Sequence, residues 1–205
     1  MSATRARLAR MVFAMPEALV AAILSIFLFL VMCGALVLVV VSLRHPTTLP
    51  LIIATGLVVL ALAVVIVSPV NVPTIMGLIL ALLGIALGVV GGNPLTRRIL
   101  EIATHGRVHE TSDGGIRADA TPDDGTAGTV LLRGGTTIGY LERVAAVIGI
   151  VAGFPEALAV IVAVKGVGRF SELASAEARE RFIIGTLASL LWACVVAALV
   201  RFAIW

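Results

Sequence analysis

The chain is patterned as long blocks of unbroken apolar residues separated by short polar breaks. Within the blocks there is no helical stripe and no strand-like alternation of apolar and polar positions, so both faces of each block are apolar. A spanning helix needs about 20 apolar residues to cross some 30 Å of hydrocarbon. Three early blocks reach that length: residues 17–43, residues 49–67 after the break Arg44-His45-Pro46, and residues 73–91 after Ser68-Pro69-Val70-Asn71-Val72-Pro73. The prolines in these breaks cannot donate to a helix ladder and mark turns. A fourth block follows the charged lead-in from Ser175 to Arg181 and predicts a last span over residues 182–203. These blocks predict an all-α, polytopic transmembrane helix bundle.

Polarity rises between residues 92 and 135, which reads as one polar, largely irregular loop. Asn93-Pro94 looks like an N-cap followed by a first-turn proline, and Gly106 like a stop, so an interfacial helix is expected over 94–105. Its Leu95, Ile99, Ile102 and Ala103 form one face, while Arg97, Arg98, Glu101 and His105 form another. Glycines, aspartates and Thr121-Pro122 then describe irregular chain.

Residues 138–170 allow two readings. One is a single span from Val144 to Val164 that takes in Gly153, Pro155 and Glu156. The other, preferred here, is a hairpin of two short helices, 138–152 and 155–170, turning at Gly153-Phe154-Pro155. A single span would hold an ionised Glu156 in mid-membrane at a cost of several kcal/mol unless paired. The hairpin places Pro155 and Glu156 in a first helical turn, where both are favourable. Three regions follow: a membrane region over 1–91, the polar loop over 92–135, and a hairpin plus final span over 136–205.

Composition agrees with a lipid solvent. Of 205 residues 60% are hydrophobic and 13% charged, against roughly 25% charged in ordinary soluble domains. The first block is too long for a cleaved signal peptide and lacks a small-x-small exit site, so it is expected to remain as an anchor despite the preceding Arg5, Arg7 and Arg10. Cys33 and Cys194 both lie inside apolar blocks and read as small packing residues. Small residues recur every fourth position at Gly84, Gly88 and Gly92, and again at Gly185, Ser189 and Ala193, the spacing that lets helix backbones approach closely in lipid. Trp205 and Arg201 look like interface anchors.

Candidate chemistry gathers around the hairpin, in Glu142, Arg143, Lys165, Arg169, Glu177 and Arg181. Lys165 is the most unusual, with apolar neighbours on both sides, and its expected partner is Glu142 or a glutamate of the last helix. The plainer reading is that Lys165 snorkels to the headgroups and the ion pairs fasten the hairpin to the last helix. Glu101, His105 and His109 fall four apart, but Gly106 interrupts their helix and no further ligand completes a site, so no metal and no cofactor is expected. No phosphate-binding glycine loop, nucleophile elbow or zinc-protease helix is present. Between residues 92 and 135 five Arg face six Asp+Glu, which gives no electrostatic case for nucleic acid.

Cytoplasmic loops near spans are enriched in Lys and Arg. If the hairpin crosses twice and the polar loop is cytoplasmic, eleven cations lie inside (Arg44, Arg97, Arg98, Arg107, Arg117, Arg133, Arg143, Lys165, Arg169, Arg179, Arg181) and four outside. A five-crossing alternative with the N-terminus inside gives seven inside and eight outside. The first arrangement is preferred.

Three stretches, Ile138-Gly139-Tyr140-Leu141-Glu142-Arg143, Lys165-Gly166-Val167-Gly168-Arg169-Phe170 and Gly185-Thr186-Leu187-Ala188-Ser189, together resemble a group of uncharacterised bacterial multi-pass membrane proteins. That group carries Ile-Gly-x-Leu-Glu-Arg, Lys-x-x-x-Arg-Phe and Gly-Thr-Leu-x-Ser stretches, and the resemblance covers roughly residues 136–195. It implies a bacterial plasma-membrane location and supplies no activity. Packing stripes are plentiful and chemistry scarce, so the expected function is non-enzymatic and works through helix packing with a second copy or a membrane partner. The alternative is a small transporter or channel subunit using Glu142, Lys165 and Arg169 at a broken-helix hairpin.

Overall fold

The computed structural model describes residues 2–44, 47–103, 135–168 and 176–205, with side chains described from residue 16 and, in the last segment, from residue 179. The described residues form six helices: α1 (Ser2–Arg44), α2 (Thr48–Val67), α3 (Thr74–Ala103), α4 (Gly135–Val151), α5 (Ala157–Gly168) and α6 (Ala176–Ile204). Four are long and apolar enough to cross a membrane, over Pro16–Arg44, Thr48–Val67, Thr74–Ala103 and Arg179–Ile204. The remaining pair, α4 and α5, forms the short-helix hairpin. Large apolar side chains point outward along the spans, among them Ile52 at 65% exposed, Leu82 at 61% and Leu191 at 65%. Only lipid solvates such a surface, and the chain is an all-α helical membrane bundle.

Helix α6 lies at the centre, against α2, α3 and α4. It runs antiparallel to α3, as the glycines of α3 show: Gly77 faces Ile204, Gly84 faces Val200, Gly91 faces Trp192, and Gly185 faces Thr96 and Leu100. Helix α1 packs on α2 and α3, and a core of Leu28, Met32, Val39, Val58, Leu80, Leu87, Val196 and Val200 joins all four. In α2 the buried residues are Leu51, Ala54, Val58, Ala61 and Val65, a narrow stripe at three- and four-residue spacing with lipid-facing residues between. The turn from α2 to α3 is tied to the end of α6, where Val72 N–H donates to the Ala203 carbonyl at 2.9 Å. One membrane side thus collects the α2–α3 turn and Arg201; the other collects Arg44, the end of α3 and Arg181.

Two sequence expectations change. The helix expected over 94–105, separate from the span over 73–91, does not exist as a separate element: α3 continues from Thr74 through Pro94 to Ala103. Proline removes one N–H from the ladder. Upstream of it the Leu87 and Val89 carbonyls accept side-chain donors from α6 and α4, which ties this part of α3 to both neighbours. At 1.5 Å per residue α3 is about 45 Å long, enough to cross the hydrocarbon and rise through one headgroup layer. The second change is at the hairpin, where α5 begins at Ala157, two residues later than expected, leaving Pro155 and Glu156 in the turn. The end proposed for the 94–105 helix, His105, and the loop beyond it lie outside the described residues, as do His109 and Arg169.

Helix α4 runs parallel to α6. Near its middle Arg143 reaches Ser189, and at its end the Val151 carbonyl accepts from Arg201 Nη1 at 3.3 Å. The turn that follows has Gly153 at φ 83, a left-handed conformation that only glycine adopts without strain. The tip of the hairpin therefore lies level with Arg201, at the side opposite Arg181. Helix α5 returns along α4 and has no buried residue.

Candidate functional site

Adjacent residues on a helix point about 100° apart. This geometry sends Glu142 and Arg143 to different neighbours, and it divides the expected polar cluster into two parts. Arg143 turns inward between α3, α4 and α6 and is 2% exposed. Its Nε donates to the Val89 carbonyl at 3.0 Å, Nη1 to Ser189 Oγ at 2.8 Å and Nη2 to Asn93 Oδ1 at 2.7 Å. Asn93 Nδ2 donates in turn to Tyr140 Oη at 3.1 Å, and the guanidinium lies 5.2 Å from the centroid of the Tyr140 ring.

A notch in α3 makes room for this arginine. A Cβ placed on Gly92 would lie 2.6 Å from Arg143 Nε and 2.8 Å from Cζ; one on Gly91 would lie 2.6 Å from Trp192 Nε1. The Gly91-Gly92 pair therefore leaves two adjacent positions bare, and two large groups with N–H donors lie against the backbone there. Trp192 Nε1 donates to the Leu87 carbonyl at 3.1 Å. Such contacts satisfy donors that lipid cannot, and a buried guanidinium in a membrane costs several kcal/mol without them.

Glu142 faces the hairpin partner. Lys165 Nζ lies 2.6 Å from Glu142 Oε2, with the two side chains 17% and 10% exposed, and 5.9 Å from the centroid of the Phe182 ring. The pair links α4 to α5 and borders the start of the apolar part of α6. Lys165 stands one turn from the end of α5, so the pair lies nearer the Arg181 side than the bilayer centre. Together Glu142, Lys165 and Arg143 carry one net positive charge.

Of the other expected cluster members, Arg181 is half-buried at the head of the final span. The side chain of Glu177 and all of Arg169 lie outside the described residues. The small-residue positions distribute over two interfaces. Gly84 faces Val200 and Met32, Gly88 faces Val147, and Gly92 faces Arg143. Gly185 faces Thr96 and Leu100, while Ala193 is fully buried beside Ala146, Val147 and Ala197. All of these contacts are within the chain. Glu101, once considered for a metal, is ion-paired with Arg98 at 2.5 Å.

Sequence reasoning missed Asn93, Tyr140 and Trp192 as members of the network. A signal was present: Gly91-Gly92-Asn93 puts two bare positions and an amide at the end of an apolar run, and this pattern asks for a polar side chain from a neighbour. At the opposite side Arg201 lies 5.0 Å from the centroid of the Trp205 ring, beside the hairpin turn. An apolar groove between α1 and α2, flanked by Phe27 and Val64, carries Ser68 as its one polar side chain, and Ser68 is hydrogen-bonded to Val70.

The described parts of the three stretches, residues 138–143, 165–168 and 185–189, meet through the Glu142–Lys165 and Arg143–Ser189 contacts. No protein-family model matches the chain, and no curated protein and no solved structure matches it.

Proposed function

We propose that this chain is a non-enzymatic multi-pass protein of the bacterial plasma membrane that works by assembling with a membrane partner or a second copy, with the α4–α5 hairpin as its contact element. The observation that carries this reading is α5: a 12-residue apolar helix, about 18 Å long, with no buried residue and an ion pair to α4. The small-residue stripes of α3 and α6 are already filled within the chain, so they leave α5 as the outward-facing packing element. A photoreactive residue in place of Val160 on α5 is expected to give a discrete adduct in native membranes, identified by mass spectrometry, while one at Val59 on α2 gives none. Equal labelling at both positions, or none at Val160, would refute the assignment.

A second reading, a small transporter or channel subunit, draws on the Glu142–Lys165 pair within an apolar hairpin. Lys165→Met separates the two: intact assembly with lost solute flux supports transport, whereas lost assembly supports the contact role. The excess of Arg and Lys on the Arg181 side supports a cytoplasmic position for that side. A reporter fused within residues 110–125 tests it, with cytoplasmic activity as the expected result.

A further inference from the structure

Two cations and one acid meet at the hairpin, beside Ser189 of the last span. All three hydrogen bonds of the buried Arg143 go to neutral acceptors: the Val89 carbonyl, the Ser189 hydroxyl and the Asn93 amide oxygen. Glu142 pairs with Lys165, so the group of three keeps one positive charge in excess. A low-dielectric surrounding screens such a charge poorly, and its field extends beyond the pair.

Lys165 is the cation that a neighbour can reach. An ammonium has three N–H donors. One is directed at Glu142 Oε2, 2.6 Å away; among the described residues the other two meet no oxygen acceptor, and the Phe182 ring centroid lies 5.9 Å from Nζ. Hydrocarbon offers no water to meet them. The side chain is 17% exposed and stands on α5, the helix without a buried residue. Val160, Val164 and Val167 around it are exposed and apolar, so whatever approaches Lys165 lies along a lipid-facing helix surface.

We infer that the face of α5 around Lys165 docks a transmembrane helix of a partner that carries a carboxylate at the depth of Lys165. The carboxylate accepts from the ammonium beside Glu142 and brings the group of charges to neutrality. A neutral polar side chain would meet the donors but leave the charge, whereas an acid does both. This inference rests on the assembly reading above and names the chemistry of the partner.

The test uses the full chain with a photoreactive residue at Val160, in phosphatidylcholine vesicles containing a synthetic poly-leucine transmembrane helix. The helix carries one aspartate, or one asparagine as the neutral control, seven residues from one end of its apolar stretch, the depth of Glu142 in α4. The wild type is expected to crosslink the aspartate helix more than the asparagine helix, by about tenfold or more. Lys165→Met is expected to abolish the preference, and Arg201→Gln, at the other membrane side, to leave it unchanged. Glu142→Gln is expected to raise it, because the ammonium then lacks its own carboxylate; such a gain cannot come from a loss of folding. Equal crosslinking of the two helices by the wild type would overturn the inference, as would a preference that survives Lys165→Met or falls in Glu142→Gln. Loss of the preference when phosphatidylglycerol is added would assign the ammonium to a lipid phosphate and overturn it as well. A discrete Val160 adduct in native membranes without any aspartate preference defeats this inference and leaves the contact role of α5 standing; absence of that adduct defeats the contact role itself.

Discussion

Replacing Gly92 by Ala puts one methyl group where Arg143 lies. The new Cβ would be 2.6 Å from Nε and 2.8 Å from Cζ, closer than real Cβ contacts come. The guanidinium cannot simply swing aside, because three hydrogen bonds fix it to Val89, Asn93 and Ser189. Inter-helix hydrogen bonds in membranes contribute about 0.6 kcal/mol on average and up to about 1.7, so loss of all three costs about 2 to 5 kcal/mol. Alanine returns about 1 kcal/mol of helix propensity, which leaves a net destabilisation of about 1 to 4 kcal/mol. Gly34 and Gly56 provide the contrast, since a Cβ at either meets nothing within 4 Å. There Ala is expected to be neutral or to stabilise by up to about 1 kcal/mol. Reversible unfolding in mixed detergent micelles, followed by circular dichroism, measures all three. The decisive experiment is a double-mutant cycle: in an Arg143→Ala background the clash is gone, and Gly92→Ala is expected to be harmless. A Gly92→Ala protein as stable as wild type, or a cost that persists without Arg143, would refute the notch.

Breaking the Glu142–Lys165 pair from one side, by Lys165→Met, leaves a carboxylate in an apolar setting; a loss of about 1 to 3 kcal/mol is expected, with largely restored stability in the double variant E142Q/K165M by the same unfolding assay. At the hairpin tip, Gly153→Ala forces a side chain to φ 83 and sets its Cβ 3.3 Å from Arg201 Nη2. A cost of about 1 to 2 kcal/mol is expected, with faster protease cleavage between α4 and α5. Trp192→Phe keeps most of the packing but leaves the Leu87 carbonyl without its indole donor, and a loss of about 1 kcal/mol is expected.

The architecture is legible in the sequence because lipid imposes a simple demand. A block of 20 apolar residues has one economical conformation in hydrocarbon, and each of the four long helices is built on one of the four blocks, α3 extending well past its block. Glu156 beside Pro155 is likewise readable, since both are poor in mid-helix and favourable at a turn. The failures share a cause. Pro94 after Asn93 is the local pattern of a helix start, yet α3 runs through it, in a stretch tied to its neighbours by donors distant in sequence, Arg143 to Val89 over 54 residues and Trp192 to Leu87 over 105. The grouping of Glu142 with Arg143 fails for a geometric reason: neighbours in sequence lie on different faces of a helix, and only the positions of α3, α5 and α6 decide what each face meets. Stripes of small residues announce close approach but not its partner, so Gly92 reads as a packing residue when its contact is a guanidinium.

The distribution of these contacts sets which part of the bundle is free to act. Helices α1, α2, α3 and α6 share one apolar core, and α4 is fixed to it along its length, by Arg143 in its middle and by Arg201 at its end. Helix α5 is held more lightly: no residue in it is buried, Leu158 and Ile161 pack partly buried against the cluster of Ala146, Val147 and Ala193, and an ion pair at 2.6 Å links its end to α4. Free energies of local opening follow burial, so within the described residues α5 is the element that separates at least cost. Glu142 is where the two regimes meet. Its neighbour Arg143 is locked into the core, which fixes the backbone that presents Glu142, and Glu142 in turn holds Lys165. An element held by partly buried apolar contacts and one ion pair on a rigid mount is the one that a competing contact displaces at least cost, and under the proposed assembly role only a partner able to replace the Glu142–Lys165 pair or to cover α5 without breaking it binds with a net gain.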